Sequence, residues 1–455
     1  MIESNCIQCK TQFDKAELNR CPNCGKHAID SESPSQTTGF SLEKFTSSLS
    51  NKQFQWIWLS NTFSFLAMNT HMTIRSWLVL ELPEFNIIFT TIVNPDFAPL
   101  ALVIALMSFS LPMILLAFIG GLLADRISRK LLIMLSISGN VIIALTVASL
   151  DYFELIEYWH LIVLGMGQGA MMAFTMPSQQ VLISDVIPDH KLMNAISTIS
   201  AARNFTRIIG PIMAGFLIAW IETHGAFLVV AASYAAALLS ISMINIQKKP
   251  SSKQPTKMSE DFKATFSYIA GHQVLPAMLI MTFIPVLFGF SLWPLLPAWG
   301  KEVLSIGPEG LGWLNGAQGI GAVIGSLILA ALTLKKRGRV MLLICLVWGL
   351  ILAIFAYTNT MPSALAMLIL LGALSGIFLA LNTTLLQTYT DHDMRGRVMS
   401  ISMMMWGVMP LSAVPFGIIA TTTGSTPLSL GLSGILLVIC TSVFWVYKPS
   451  FTKID

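Results

Sequence analysis

Twelve long apolar runs recur along this chain, each about the length that a helix needs to cross a bilayer. They fall near 54–80, 98–120, 131–150, 159–183, 195–221, 226–246, 273–299, 311–334, 340–357, 362–386, 398–421 and 428–447. A helix crosses the hydrocarbon core with about 20 mostly apolar residues. No water is available there, so each span must satisfy its own backbone hydrogen bonds. Membrane β-strands would instead alternate over segments of about ten residues, and these runs do not alternate. Only 11% of the 455 residues are charged, against about 25% in a typical soluble domain. The fold class expected is an all-α polytopic membrane protein, and no nucleic-acid partner is expected.

Charge sets the orientation. Cytoplasmic loops carry the excess of Lys and Arg. With the N-terminus inside, 23 of the 27 Lys and Arg fall on the inner side. The outer loops hold Lys301, and Arg75, Arg203 and Arg207 fall within runs. Both termini are therefore expected in the cytoplasm, with no cleavable signal peptide ahead of the first run.

The polar head contains Cys6-x2-Cys9-x11-Cys21-x2-Cys24, the spacing of a zinc ribbon. Two such knuckles can place four thiolates tetrahedrally around a structural Zn²⁺. A segment this small has too little core to fold alone, so the metal would supply folding energy. Disulfides are the alternative, disfavoured in a reducing compartment. The expected organisation is a four-cysteine head over 1–29, a linker over 30–50, a six-helix bundle over 51–246, a basic linker over 247–263, a second six-helix bundle over 264–448 and a tail over 449–455. A shift of 202 residues aligns Asp189-His190 with Asp391-His392, Ile199-Ser200 with Ile401-Ser402, and Gly215 with Gly417. This echo supports two bundles related by a pseudo-two-fold axis along the membrane normal, an architecture that holds substrate near the midplane and rocks to alternate access.

Between the second and third runs the chain reads Gly120-Gly121-Leu122-Leu123-Ala124-Asp125-Arg126-Ile127-Ser128-Arg129-Lys130. This resembles the loop signature of the major facilitator superfamily of transporters, with Ser128 where that family usually has Gly. The resemblance implies an interbundle latch formed by Gly121, Asp125, Arg126 and Arg129, with Asp185 as an acidic partner. Gly210-Pro211-Ile212-Met213-Ala214-Gly215 is similar to the Gly-Pro-x-x-Gly-Gly element of superfamily exporters, with Ala214 replacing one Gly. A plain proline kink with small-residue packing is its other reading, and Gly210, Pro211 and Gly215 are the candidate gating residues there. Met176-Pro177-Ser178-Gln179, Asn194-Ala195-Ile196, Asn204 and Arg395-Gly396-Arg397-Val398 resemble a bacterial subgroup containing siderophore exporters, macrolide efflux pumps and lysophospholipid transporters. Arg395 and Arg397 join the gating candidates, and a bacterial cytoplasmic (inner) membrane location is implied.

Ionisable groups inside a membrane usually face a cavity. Asn61, Ser64, Met68, His71 and Arg75 recur at intervals of three and four on one face of the first helix. Arg75 either lines a cavity or snorkels to an interface or pairs structurally. Asn204 and Arg207 share a face of the fifth span. Gln168, Asn315, Gln318, Asn382 and Trp406 complete the substrate-binding candidates, although each alone is more often interhelical glue. None of the 23 Asp and Glu falls in mid-membrane. A cavity with arginines and no acid favours an anionic or zwitterionic amphipathic substrate, and any coupling proton would need His71 or edge acids such as Asp125 and Asp185.

There is no phosphate-binding Gly-Lys-Ser/Thr loop and no zinc-hydrolase spacing, so an enzyme is not expected. The reading is a monomeric secondary transporter, expected to export a small amphipathic compound by alternating access. A lysophospholipid-like amphiphile transporter is one alternative. A metal-responsive receptor with the head as effector, docking a cytoplasmic protein, is the other.

Overall fold

A computed structural model describes residues 3–5, 12–14, 47–82, 85–87, 90–92, 97–126, 128–245, 258–332, 335–391, 394, 398–399, 401–402 and 409–454. The chain divides into two compact units, Met1–Thr46 and Ser47–Asp455. In the first, β1 (Glu3–Asn5) pairs antiparallel with β2 (Gln12–Asp14), with Glu3 opposite Asp14.

The second unit is helical, as its apolar runs require. Its first half holds α1 (Lys52–Glu81), α2 (Ala98–Arg126), α3 (Arg129–Tyr152), α4 (Tyr158–Val186) and α5 (Asp189–Ser242). Asn51 starts α1 by accepting the backbone N–H groups of Gln53 and Phe54, a capping role suited to its short amide. After α6 (Met258–Gly271), the second half holds α7 (Leu275–Phe288), α8 (Leu292–Leu304), α9 (Pro308–Ala331), α10 (Arg337–Phe355), α11 (Met361–Tyr389), α12 (Met409–Ser412), α13 (Val414–Thr423) and α14 (Thr426–Tyr447).

The described helices follow the expected runs, with local breaks. Among the described residues, eight helices are long and apolar enough to cross a membrane. The runs over 195–221 and 226–246 are two arms of α5, which breaks at Ile221 and at Glu222 (φ 60°). The run over 273–299 is split between α7 and α8 by a turn at Gly289–Ser291, and the described part of the eleventh run is broken as well. Although 30 residues long, α1 is not among the eight, because polar side chains interrupt its apolar face. The unit is also not purely helical. Between α1 and α2 lies a small hairpin, β3 (Phe85–Ile87) with β4 (Thr90–Ile92).

Buried apolar side chains form two clusters. One is drawn almost wholly from residues 54–244 and the other from 269–454, so each half has its own core. The bundle has a basic end and an acidic end. At the basic end Lys130 donates to the carbonyls of Ser242 and Ile244, placing a cation where a helix C-terminus is negative. At the acidic end Thr223 donates to Asp151, and Glu302 accepts the backbone N–H of Thr426.

The halves touch near the acidic end. Gly215 of α5 lies so close to α9 that a β-carbon there would stand 2.5 Å from the Pro308 carbonyl oxygen. Gly417 of α13 packs on Leu100 and Val103 of α2. Lys301 of α8 donates to the Leu80 carbonyl of α1 at 2.8 Å.

Candidate functional site

Below those contacts lies a cavity of about 930 Å³, part of it open to the surroundings, bounded by both halves. From the first half, α1 contributes Asn69, Met72, Thr73 and Ser76, and α5 contributes Arg207 and Pro211. The second half supplies Trp293 and Pro297 from α8, and Asn315 and Gln318 from α9. Proline is well placed here, since its ring lets a helix bend around a space. Pro211 and Pro297 both lie inside their helices. Among the described lining residues there are two guanidinium groups and no carboxylate.

The two arginines differ in what they do. Arg207 lines the cavity and makes no hydrogen bond or ion pair with a described residue, so its charge faces the space. Arg75 is 5% exposed. Its Nη2 lies 2.6 Å from the Ala105 carbonyl, 2.7 Å from the Ser108 hydroxyl and 2.8 Å from the Leu161 carbonyl. One side chain thereby ties α1 to α2 and α4. A β-carbon at Gly165 would fall 2.2 Å from Nη2, so a larger residue there would push the guanidinium off these partners. Arg75 borders the cavity as a structural clamp and does not snorkel away.

Of the residues singled out from sequence, Arg75, Arg207, Pro211, Asn315 and Gln318 come together at this cavity. Others do not. His71 is buried against Phe227 with ring centroids 5.1 Å apart and is not among the residues lining either cavity. Asn61 donates to the Ile57 carbonyl of its own helix. Asn382 accepts the Thr282 hydroxyl at 2.8 Å within the second half, which is interhelical glue. Asn204 is exposed on α5, and Gln168 lines a separate cavity inside the first half. Gly210 packs against Asn69 and Thr70 of α1, whose Thr70 hydroxyl donates to the Gly210 carbonyl. Gly121, Asp125, Arg126 and Asp185 contribute helical backbone, and their side chains lie outside the described residues. Trp406, Arg395, Arg397 and the cysteines Cys6, Cys9, Cys21 and Cys24 lie outside them altogether. Arg129 begins α3.

Asn69, Thr73 and Ser76 were missed as lining residues. With Met72 they form a second stripe at intervals of three and four, about 120° around α1 from the first at 100° per residue. The sequence therefore carried two polar faces on one helix.

A two-cored helical membrane unit with a polar cavity at the junction of its halves defines a transporter. The match to a family model is extensive: residues 44–453 fit MFS_3, Transmembrane secretion effector. The chain belongs to this family of the major facilitator type. It is 27% identical over 60% of its length to the uncharacterised MFS-type transporter YfiS of Bacillus subtilis, and the match spans 63% of that relative. It is 26% identical to the staphyloferrin A transporter of Staphylococcus aureus, covering 73% of this chain and 84% of the relative. It is 24% identical to the multidrug efflux pump Tap of Mycolicibacterium fortuitum, covering 77% and 88%. In fold it is similar to a crystal structure of a bacterial homologue of the human lysosomal transporter Spinster. The TM-score is 0.68 at 13% identity, over 91% of this chain and 99% of the other.

Proposed function

We propose that the chain exports a small amphipathic compound, anionic or zwitterionic, which binds in the cavity between the halves. The observation that carries this is Arg207, without a partner among the described residues, facing a space lined by apolar rings, amides and no described carboxylate. An anionic headgroup would pair with the guanidinium, and apolar parts would pack on Trp293 and Pro297. Charge complementarity counts for more in such a low-dielectric space than in water. The name of the staphyloferrin A relative favours transport, and that of Tap, a multidrug efflux pump, favours export. Family membership favours transport over a receptor role.

Alternating access follows from where the halves touch. Contacts near the acidic end close that side, and exposed polar positions continue from Arg207 along α5 through Asn204, Ser200 and Ser197. Thr383, Thr384, Gln387 and Thr388 make a similar exposed polar face on α11. Polar faces on membrane helices belong against water-filled space, so the cavity opens toward the basic end. With the excess of Lys and Arg in the cytoplasm, this is an inward-open state of a bacterial inner-membrane protein with both termini inside. Arg207 recruits the substrate; Gly210, Pro211 and Gly215 let α5 approach α1 and α9; Asp125, Arg126 and Arg129 latch the opposite state. The head binds a structural Zn²⁺ through its four cysteines, and the β1–β2 hairpin supports this because its connection, residues 6–11, contains the whole first knuckle. When bound, the ion would hold the knuckles together.

The test is accumulation of matched anionic, zwitterionic (a lysophospholipid included) and cationic amphipaths in cells with and without the protein. Lower accumulation of an anion or zwitterion, lost in Arg207→Gln and Asp125→Asn, is expected. Selective efflux of cations, or efflux indifferent to Arg207, would overturn the assignment.

A further inference from the structure

Inside the first half lies a second cavity of about 410 Å³, part of it open to the surroundings. It is walled by α1, α2, α3, α4 and the second arm of α5, away from the junction of the halves. Its polar groups come from four helices: Ser64, Asn140, Gln168 with Gln179, and Tyr234. Gln168 is 2% exposed and Asn140 9%. Among the described residues, both amide atoms of Gln168, the Asn140 Oδ1 and the Ser64 Oγ have no hydrogen-bond partner. The Gln168 amide stands beside the Tyr234 hydroxyl but outside bonding geometry.

Buried amides are costly when unpaired, and more so where lipid surrounds the bundle and water is scarce. Four orphaned atoms from three helices bordering one space form a pattern that a ligand group would satisfy. Gln168 offers both a donor and an acceptor, Ser64 can do either, and Asn140 Oδ1 accepts. The rest of the wall includes Phe65, Phe109 and Met172. No charged side chain lines it among the described residues. Arg203 stacks on the Phe65 ring at 4.6 Å and is not part of the lining. An ion entering here would lose its water and meet no counter-charge. A neutral group would meet amides of matching polarity.

We propose that this cavity is a second ligand site, selective for an uncharged aromatic or alkyl compound bearing a carboxamide or hydroxyl group. It is distinct from the cavity that Arg207 faces and opposite to it in charge preference. The two would give one protein separate sites for anionic and neutral amphipaths.

The experiment uses the full-length protein in lipid nanodiscs and two probes of one skeleton, N-acetylphenylalaninamide and its carboxylate, N-acetylphenylalanine. Binding is followed by saturation-transfer NMR, and thermal midpoints report folding. In an Arg207→Gln background, which removes the anion-binding guanidinium of the other cavity, saturable binding of the amide is expected, at least tenfold tighter than that of the carboxylate. Gln168→Leu and Asn140→Leu should each weaken it at least tenfold, while Arg207→Gln leaves it unchanged. Should either leucine variant fail to fold, Tyr234→Phe removes one hydroxyl at little change in shape and should still weaken the amide. Three results would each overturn the proposal: no saturable amide binding, equal binding of both probes, or amide binding untouched by these variants. The first is the outcome if water alone fills the cavity. Because Arg207→Gln is scored separately with an anion, failure here is distinguishable from failure of the export reading.

Discussion

Gly215→Ala is the sharpest test of how the halves alternate. A β-carbon there would stand 2.5 Å from the Pro308 carbonyl oxygen and 3.0 Å from the Glu309 Cα, where ordinary contact begins at 3.4 Å. The obstacle is backbone, so no side chain can swing aside, and α5 must part from α9 by about 1 Å to reach ordinary contact distance. Overpacking of this kind costs about 1–3 kcal/mol. That cost applies only in the state where α5 and α9 are in contact. If the opposite state separates them, the equilibrium shifts away from closure of the acidic end by roughly 5- to 150-fold. Spin labels at the exposed positions Glu154 and Ser305, one in each half at the acidic end, would report this by double electron–electron resonance. The variant should populate a longer distance than the parent. Were the distribution unchanged while the melting temperature dropped, Gly215 would be a static packing site and the gating argument would fail.

Other perturbations are expected to act locally. Arg75→Leu removes the donor shared by Ala105, Ser108 and Leu161 and should destabilise by about 1–3 kcal/mol, because charge-assisted bonds that tie three helices are lost; equal thermal melting of variant and parent would contradict the clamp. Lys301→Gln deletes the exposed side chain that reaches the Leu80 carbonyl and should cost under about 1 kcal/mol, yet lengthen the same spin-label distance slightly. Phe451→Ala empties a site that is 1% exposed in the C-terminal tail and should cost about 3–5 kcal/mol, measurable as a lowered melting temperature of the purified transporter. For the head, mass spectrometry of the full chain should count one zinc per protein, lost in Cys21→Ser; a metal-free parent would remove the zinc assignment.

Much of the cavity was legible because burying polar groups in a membrane is costly enough to mark them. Arg207, Asn315 and Gln318 stand out within apolar runs, and the structure brings all three to one space. The same rule misled at His71 and Asn382. Polarity says that a group needs a partner, and it does not say whether that partner is a ligand, a ring such as Phe227 or a hydroxyl such as Thr282. On α1 the stripe through Ser64 and Met68 faces inward to the second cavity, while its neighbour through Asn69 and Ser76 faces the junction.

The sequence by itself determined that this is a helical membrane protein with a basic and an acidic end, because span length and charge act locally along the chain. It also carried the family signature and the four-cysteine head. Only the tertiary structure decided that Arg75 clamps three helices and that the halves meet at Gly215 and Pro308. Those outcomes depend on which faces meet across large sequence separations. Packing chooses among faces that composition leaves equivalent.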